Sequence, residues 1–411
     1  METKRNIFLW ALYDFANSTV SIVFFLYFAQ WIVIDRGISD FYFNLTFTIS
    51  ALLLLFSVPF AGVLLDKWLR RITGLRYSTV LTAILYGICA IFVIQNQELY
   101  ALIFFTLGIF IYLLSFTFYT PLLNAIASPE KRGLVSGIGV AANYLGQITG
   151  LIIALPFSTG AISLFHSSPR AETLLPAVGV FLALSLPMLL FFTEPKWSSG
   201  ENIRWARELR AVSSETKKLF LVPSVGLFIT AYFLFNDAIL TAANNFPIFL
   251  EQVWHVSDTI KTYILLGILV TSAIGGGLSG WLADWYGHKR TLKLVLIGWV
   301  FILPIVGWTS NFILFVIATA FMGFWFGANW AVSRSVMSYI APVGQHNLAF
   351  AYFGLAERAS SLVGPLIWGG IVSSLVSIGS DRYRYAALAI TLFIIFGLIA
   401  LSKIRDDKEG I

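Results

Sequence analysis

Twelve stretches of this chain are each apolar over about the length that crosses a bilayer, and that pattern constrains the fold more than any other feature. They are 7–34, 43–65, 78–95, 99–120, 134–156, 173–193, 218–250, 260–283, 291–309, 311–333, 350–374 and 385–403. A helix needs roughly 20 mostly apolar residues to span the hydrocarbon core. Lipid offers the backbone no hydrogen-bond partners, so a single spanning segment must satisfy itself as a helix. The chain has 411 residues, of which 58% are apolar and 12% charged. Twelve spans absorb nearly all of that apolar content, and few residues remain for an extramembrane domain. The expected fold is therefore an all-α membrane protein with twelve transmembrane helices. A soluble enzyme, a nucleic-acid binder and a disordered chain do not fit these numbers.

Charge placement orients the spans. The net charge is +6, and of 27 Lys and Arg residues 21 fall in loops on one side or at the two ends of the chain. The opposite side carries Arg36, Arg170, Lys261, Arg382 and Arg384, and Arg358 lies inside a span. Basic loops stay cytoplasmic, so both termini are expected there. The first apolar run is too long for a signal-peptide core and reads as a retained membrane helix. A single cysteine, Cys89, leaves no disulfide framework. Four histidines with no paired spacing argue against a metal site. No G-x-x-x-x-G-K-S/T motif is present, so no nucleotide or other cofactor is expected.

The one long polar stretch divides the chain six spans from six. The expected organisation is a bundle over 1–193, a cytoplasmic linker over 194–217, a second bundle over 218–405 and a tail over 406–411. Within the linker Trp205, Leu209 and Val212 fall at helical spacing among arginines, which suits a surface helix or a solvated linker. The run 218–250 exceeds what a membrane needs, so it is expected to tilt, or to bend near Pro247. Trp10, Trp31 and Trp68 lie near span ends and read as interfacial anchors.

The two halves repeat each other. Gly62-x-x-x-Asp66-Lys67 after the second span recurs as Gly280-x-x-x-Asp284 followed by Gly287, Lys289 and Arg290 after the eighth. Tyr13-Asp14 in the first span has a counterpart in Asn236-Asp237 of the seventh, and Gly150 in Gly364. Parallel six-helix repeats with a site between them are a recurrent transporter plan.

These loops resemble the signature of the major facilitator superfamily. The second copy, GWLADWYGHKR, is close to the full pattern, whereas the first lacks its second glycine. WALYDFANS (10–18), FYTPLLNAIASPEKRGLVSGIG (118–139), YFLFNDAILT (232–241) and WAVSRSVMSYIAP (330–342), with Gly364-Pro365, are similar to the vacuole-effluxer-like branch. That branch includes a fungal autophagy-related vacuolar amino-acid exporter. Ala238 stands where the branch usually has glycine, and Glu357-Arg358 where it often has lysine. The resemblance implies two pseudo-symmetric six-helix bundles, alternating access and a small zwitterionic solute moved outward. It also implies that Asp66 and Asp284 latch onto basic residues such as Arg334 in the outward-open state, with Gly62, Lys67, Gly280, Gly287, Lys289 and Arg290 completing the gating loops.

Charge inside a span is costly and marks function by default. Asp14 shares a helix face with Asn17, Ser18 and Ser21. Asn143, Gln147 and Gly150 form a stripe in the fifth span. Asp237 sits over Thr241 and Asn244 in the seventh. Glu357 precedes Ser360, Ser361 and Gly364 in the eleventh. Asp14, Asn17, Ser21, Asn143, Gln147, Asp237, Thr241, Asn244, Glu357 and Arg358 are thus the candidate solute and proton ligands. Asp14 and Asp237 serve equally as interhelical hydrogen-bonding groups. Glu357 and Arg358 point about 100° apart on a helix, so one is expected to face the cavity and answer Asp14 or Asp237.

The expected function is secondary active transport of a small polar solute, proton-coupled, by a monomer in a prokaryotic cytoplasmic membrane. A uniporter or symporter for a sugar, nucleoside or lipid-like solute is a second reading. A transporter-shaped sensor without flux is a third. No nucleophile–base pair lies in the spans, so an enzyme is not expected.

Overall fold

The computed structural model describes residues 2–67, 70–127, 132–194, 214, 217, 220–342 and 346–404. The linker helix expected around Trp205, and Trp68, lie outside the described residues. Those described are almost entirely helical. Among the described residues eleven helices are long and apolar enough to cross a membrane.

The chain divides into two compact units, Met1–Glu208 with Ser257–Thr262, and Leu209–Val256 with Tyr263–Ile411. The helices of the first are α1 (Glu2–Val23), α2 (Asp40–Lys67), α3 (Arg71–Ile94), α4 (Glu98–Tyr119), α5 (Arg132–Ser158) and α6 (Leu174–Phe191). α1 runs on through two π-helical turns, Phe24–Phe28 and Trp31–Asp35. The second unit holds α7 (Pro223–Trp254), most of α8 (Asp258–Tyr286), α9 (His288–Trp308), α10 (Phe312–Ile340), α11 (His346–Ala359), α12 (Gly364–Ser374) and α13 (Asp381–Ser402).

The expectation of a continuous eleventh span needs correction. The apolar run 350–374 is not one helix: α11 stops at Ala359 and α12 starts at Gly364. The reason is local chemistry. Pro365 has no N–H to donate to the Ser361 carbonyl, so a continuous helix would lose a bond there, and the amides of the break find another acceptor, described below. α7, by contrast, continues through Pro247 to Trp254.

Each unit packs by the same plan. In the first, α1 lies against α5 and α6, and α3 against α4. In the second, α7 lies against α11, α12 and α13, and α9 against α10. The repeat reaches single atoms. Ser50 Oγ donates to the Thr106 carbonyl at 2.9 Å, tying α2 to α4, and Ser272 Oγ donates to the Gly323 carbonyl at 2.8 Å, tying α8 to α10. Gly150 of α5 meets the Thr19 carbonyl, where a Cβ would approach to 2.6 Å. Gly364 of α12 meets Thr241, where a Cβ would come within 2.4 Å of Oγ1. Among Gly275, Gly276 and Gly277, read as a close helix contact, Gly275 carries the tightest one: its Cβ would fall 2.0 Å from the Phe324 carbonyl.

Two of the three tryptophans are not interfacial anchors. Trp31 is fully buried, and Trp10 stacks on Tyr119 at 4.9 Å with an interplanar angle of 5°. Trp10 packs with Tyr119 in the hydrophobic core of the first unit, where an aromatic pair adds attraction beyond its buried area.

Candidate functional site

Among the eleven described spans α1 and α7 are the most enclosed, with 78% and 67% of their apolar stretches buried against 28–50% for the others. A polar group on either helix must therefore find its partners within protein.

On α1, Asp14 is half-buried and faces α5. Asn143 Nδ2 donates to Asp14 Oδ1 at 3.4 Å, and Gln147 Nε2 donates to Asn143 Oδ1 at 2.7 Å. One carboxylate and two amides thus form a row, with Asn143 and Gln147 one turn apart on a single face. All three keep partial access to solvent. Gly139 makes room for this: a Cβ there would lie 2.6 Å from the Trp10 ring and 3.5 Å from Asp14 Oδ2. Asn17 is 1% exposed, and neither atom of its amide has a protein partner among the described residues. Ser21 Oγ donates back to the Ser18 carbonyl at 3.2 Å. Beside this face Tyr13 and Thr79 hydroxyls meet at 2.7 Å, and Tyr119 Oη donates to the Trp10 carbonyl at 2.9 Å.

On α7, Asp237 is fully buried. Its Oδ1 accepts the Leu362 N–H at 3.1 Å, and its Oδ2 accepts those of Val363 at 3.3 Å and Gly364 at 2.6 Å. Three consecutive amides at the start of α12, which an N-terminus leaves without carbonyl partners, converge on one carboxylate. Negative charge there also complements the helix dipole. Asn236 Nδ2 donates to the Glu357 carbonyl at 3.4 Å, near the end of α11. Thr241 is fully buried, while Asn244 is partly exposed.

At Asp237 the partners are backbone amides and neither Glu357 nor Arg358. Glu357 Oε1 instead lies 3.5 Å from Arg334 Nη2 of α10, and both side chains are partly exposed. The Arg358 side chain turns back along its own helix, with Nη1 3.9 Å from where a Gly354 Cβ would be. Backbone amides outcompete these side chains at Asp237 because the break delivers three donors already fixed in place.

Of the gating residues, Gly62, Asp66 and Lys67 carry side-chain positions outside the described residues. Asp284 is exposed and has no ion-pair partner among the described residues. Gly280 is unhindered, and Gly287 has φ +98°, a backbone state that favours glycine at the turn between α8 and α9. Lys289 Nζ donates to the Ile404 carbonyl. Arg290 is exposed.

Sequence reasoning missed a polar cluster within the first unit. Arg170 bonds Asp35 Oδ1 through Nη1 at 2.6 Å and grips Asp258 through Nε at 3.1 Å and Nη2 at 3.2 Å. Lys261, 1% exposed, reaches Asp258 Oδ1 at 2.6 Å and also Gln30 Oε1. Gln30 sits between the two π-helical turns of α1. Nearby, Glu172 is buried and gathers the backbone N–H groups of Leu164, Phe165 and Ser167. The available signal was the scarcity of charge on this side of the chain, where each ion stands near a span end.

The family model described as Major Facilitator Superfamily matches residues 10–298 and 232–410. The chain is 24% identical over 411 residues to a "Multi-drug resistance efflux pump PmrA homolog" of Lactococcus lactis, covering 96% of this chain and 94% of that one. It is 26% identical over 297 residues to "Autophagy-related protein 22" of Vanderwaltozyma polyspora, covering 69% of this chain and 54% of that one. The solved structure of a bacterial homolog of the human lysosomal transporter Spinster, inward-facing and unoccupied, matches with TM-score 0.73 at 12% identity, covering 97% of this chain and 95% of that one. Nucleoside transporter NupG matches with TM-score 0.71 at 13% identity, covering 99% of this chain and all of that one.

Proposed function

Because the chain belongs to the Major Facilitator Superfamily, a family of multi-pass membrane transporters, we propose that it exports a small polar solute, an amino acid or similar zwitterion, by proton-coupled alternating access. The observation that carries this reading is the Asp14–Asn143–Gln147 row. A carboxylate inside a span is retained against its cost. Two amides beside it offer both donors and acceptors, which a zwitterion requires. The Glu357–Arg334 pair supplies a second partly exposed acid for the proton. The outward direction rests on the efflux pump among the relatives and on the resemblance to the vacuolar exporter. Both termini are placed in the cytoplasm by the positive-inside bias, with the chain a monomer in a prokaryotic cytoplasmic membrane.

A sugar or nucleoside is the second reading, because the Asn143–Gln147 amide pair suits hydroxyl-rich solutes equally well. Counterflow in vesicles separates the two. Reconstituted protein loaded with unlabelled amino acids should take up labelled amino acid, with loss of that exchange in Asn143→Ala. Exchange of nucleosides or sugars alone overturns the amino-acid assignment. Net flux that a protonophore leaves unchanged removes proton coupling.

A further inference from the structure

We propose that the break between α11 and α12 binds a small cation, either a bare monovalent ion or the ammonium group of a solute. The inference rests on reading the chain as a transporter and names what its second unit recognises.

The break has spent its donors. The amides of Leu362, Val363 and Gly364 all point at Asp237. In an unbroken helix the Gly364 amide would serve the Ser360 carbonyl, and residue 365 would serve that of Ser361. The first is diverted and the second is a proline without an N–H. Among the described residues neither carbonyl receives a backbone hydrogen bond.

Two side chains of α7 bring oxygens to the two sides of the break, Asn236 against the end of α11 and Thr241 against the start of α12. Asn236 and Thr241 are both fully buried, and Asn236 Oδ1 and Thr241 Oγ1 have no hydrogen-bond partner. The Asn236 amide is fixed at the end of α11 by its bond to the Glu357 carbonyl. Thr241 Oγ1 abuts the start of α12, 2.4 Å from where a Gly364 Cβ would be. Buried acceptors normally find partners, and irregular backbone at membrane depth persists only inside protein or beside a water-filled cavity.

The charges around the break favour a cation. Asp237 carries the negative charge at the head of α12. Glu357 is engaged with Arg334. Arg358 directs Nη1 toward Gly354, within 3.9 Å of where a Cβ would be. An anion would meet lone pairs and the Asp237 carboxylate. A cation would find carbonyl, amide and hydroxyl oxygens there, the donor set by which unwound transporter helices hold sodium ions.

The test is a thermal-shift titration of the purified full chain with sodium chloride, methylammonium chloride or choline chloride at constant ionic strength. Binding raises the melting temperature saturably. Sodium or methylammonium, but not the bulky choline, is expected to do so, and the two arms distinguish a free ion from a solute ammonium. Thr241→Val, which keeps the shape and removes the oxygen, should weaken the apparent affinity by about tenfold. Pro365→Ala restores a donor for the Ser361 carbonyl and should weaken it likewise. Identical shifts with all three salts, or a saturable shift unchanged in both variants, overturns the proposal. Amino-acid counterflow that persists alongside such a failure leaves the transport reading standing.

Discussion

Asp237 Oδ2 accepts the backbone N–H of Gly364 at 2.6 Å, so a side chain of α7 caps a helix that begins 127 residues later. The relationship explains why a carboxylate is tolerated at a fully buried position: the start of α12 surrounds it with amide donors. It also explains why the eleventh span is broken rather than merely bent.

Asp237→Ala should therefore cost stability before it costs recognition. It leaves three amides without their acceptor, and the expected loss is about 3 kcal/mol. Asp237→Asn keeps one carbonyl oxygen but turns an NH2 toward the other donors, with an expected loss of about 2 kcal/mol. Melting temperatures in detergent check both. Wild-type stability in Asp237→Ala would show that the cap holds nothing.

Gly364 and Gly150 predict different responses to the same change. A Cβ on Gly364 would meet the Thr241 hydroxyl at 2.4 Å, whereas one on Gly150 would meet the Thr19 carbonyl at 2.6 Å. Alanine at either position should destabilise by about 1–3 kcal/mol. Thr241→Ala should recover about 1 kcal/mol of the Gly364→Ala loss, because the nearest obstacle is a side chain. No substitution at Thr19 should rescue Gly150→Ala, because there the obstacle is backbone. A double-mutant cycle at each site measures this.

Much of this was legible in the sequence. Span positions follow from the length of each apolar run, which the membrane fixes. The pairing of Gly150 with Gly364 followed from repeat spacing, and both glycines sit against a threonine of the corresponding helix. The break at 360–363 was not legible, because the run stays apolar through it. Pro365 hints at a helix start, but the hint becomes a break only when Asp237 stands opposite. Trp31 lies near a span end in sequence yet is fully buried in space, which an apolar profile does not reveal. The Arg170 cluster was hinted at only by the scarcity of charge on its side of the chain. Asp35, Arg170 and Asp258 are far apart in the chain, and no periodicity connects them.

The twin hydroxyl links offer a clean comparison. Ser50 and Ser272 each donate to a carbonyl of a neighbouring helix while lying within reach of one in their own, Thr46 at 2.7 Å and Ile268 at 2.7 Å. Both serines are fully buried. Alanine at each should cost about 1 kcal/mol, and nearly the same amount. Denaturation midpoints of the two variants check it. A large effect at one position and none at the other would show that the atomic repeat carries no energetic one.

Arg170 makes the last prediction. Its guanidinium grips Asp258 through two nitrogens and holds Asp35 with a third. The Arg170 and Asp258 side chains are 13% and 12% exposed, so solvent screens the pair only in part. Arg170→Lys keeps the charge but cannot form the two-pronged contact, and Arg170→Met leaves both acids without that cation. Lys261 would remain on Asp258, so Asp35 should suffer more than Asp258. The expected losses are about 1 kcal/mol for the lysine variant and about 3 kcal/mol for the methionine variant. Adding Asp35→Asn to Arg170→Met should restore part of the second loss by removing one of the two charges that Arg170 neutralises. Melting temperatures across the set measure this, and equal stability of all variants would mean that the cluster is held by its helices rather than holding them.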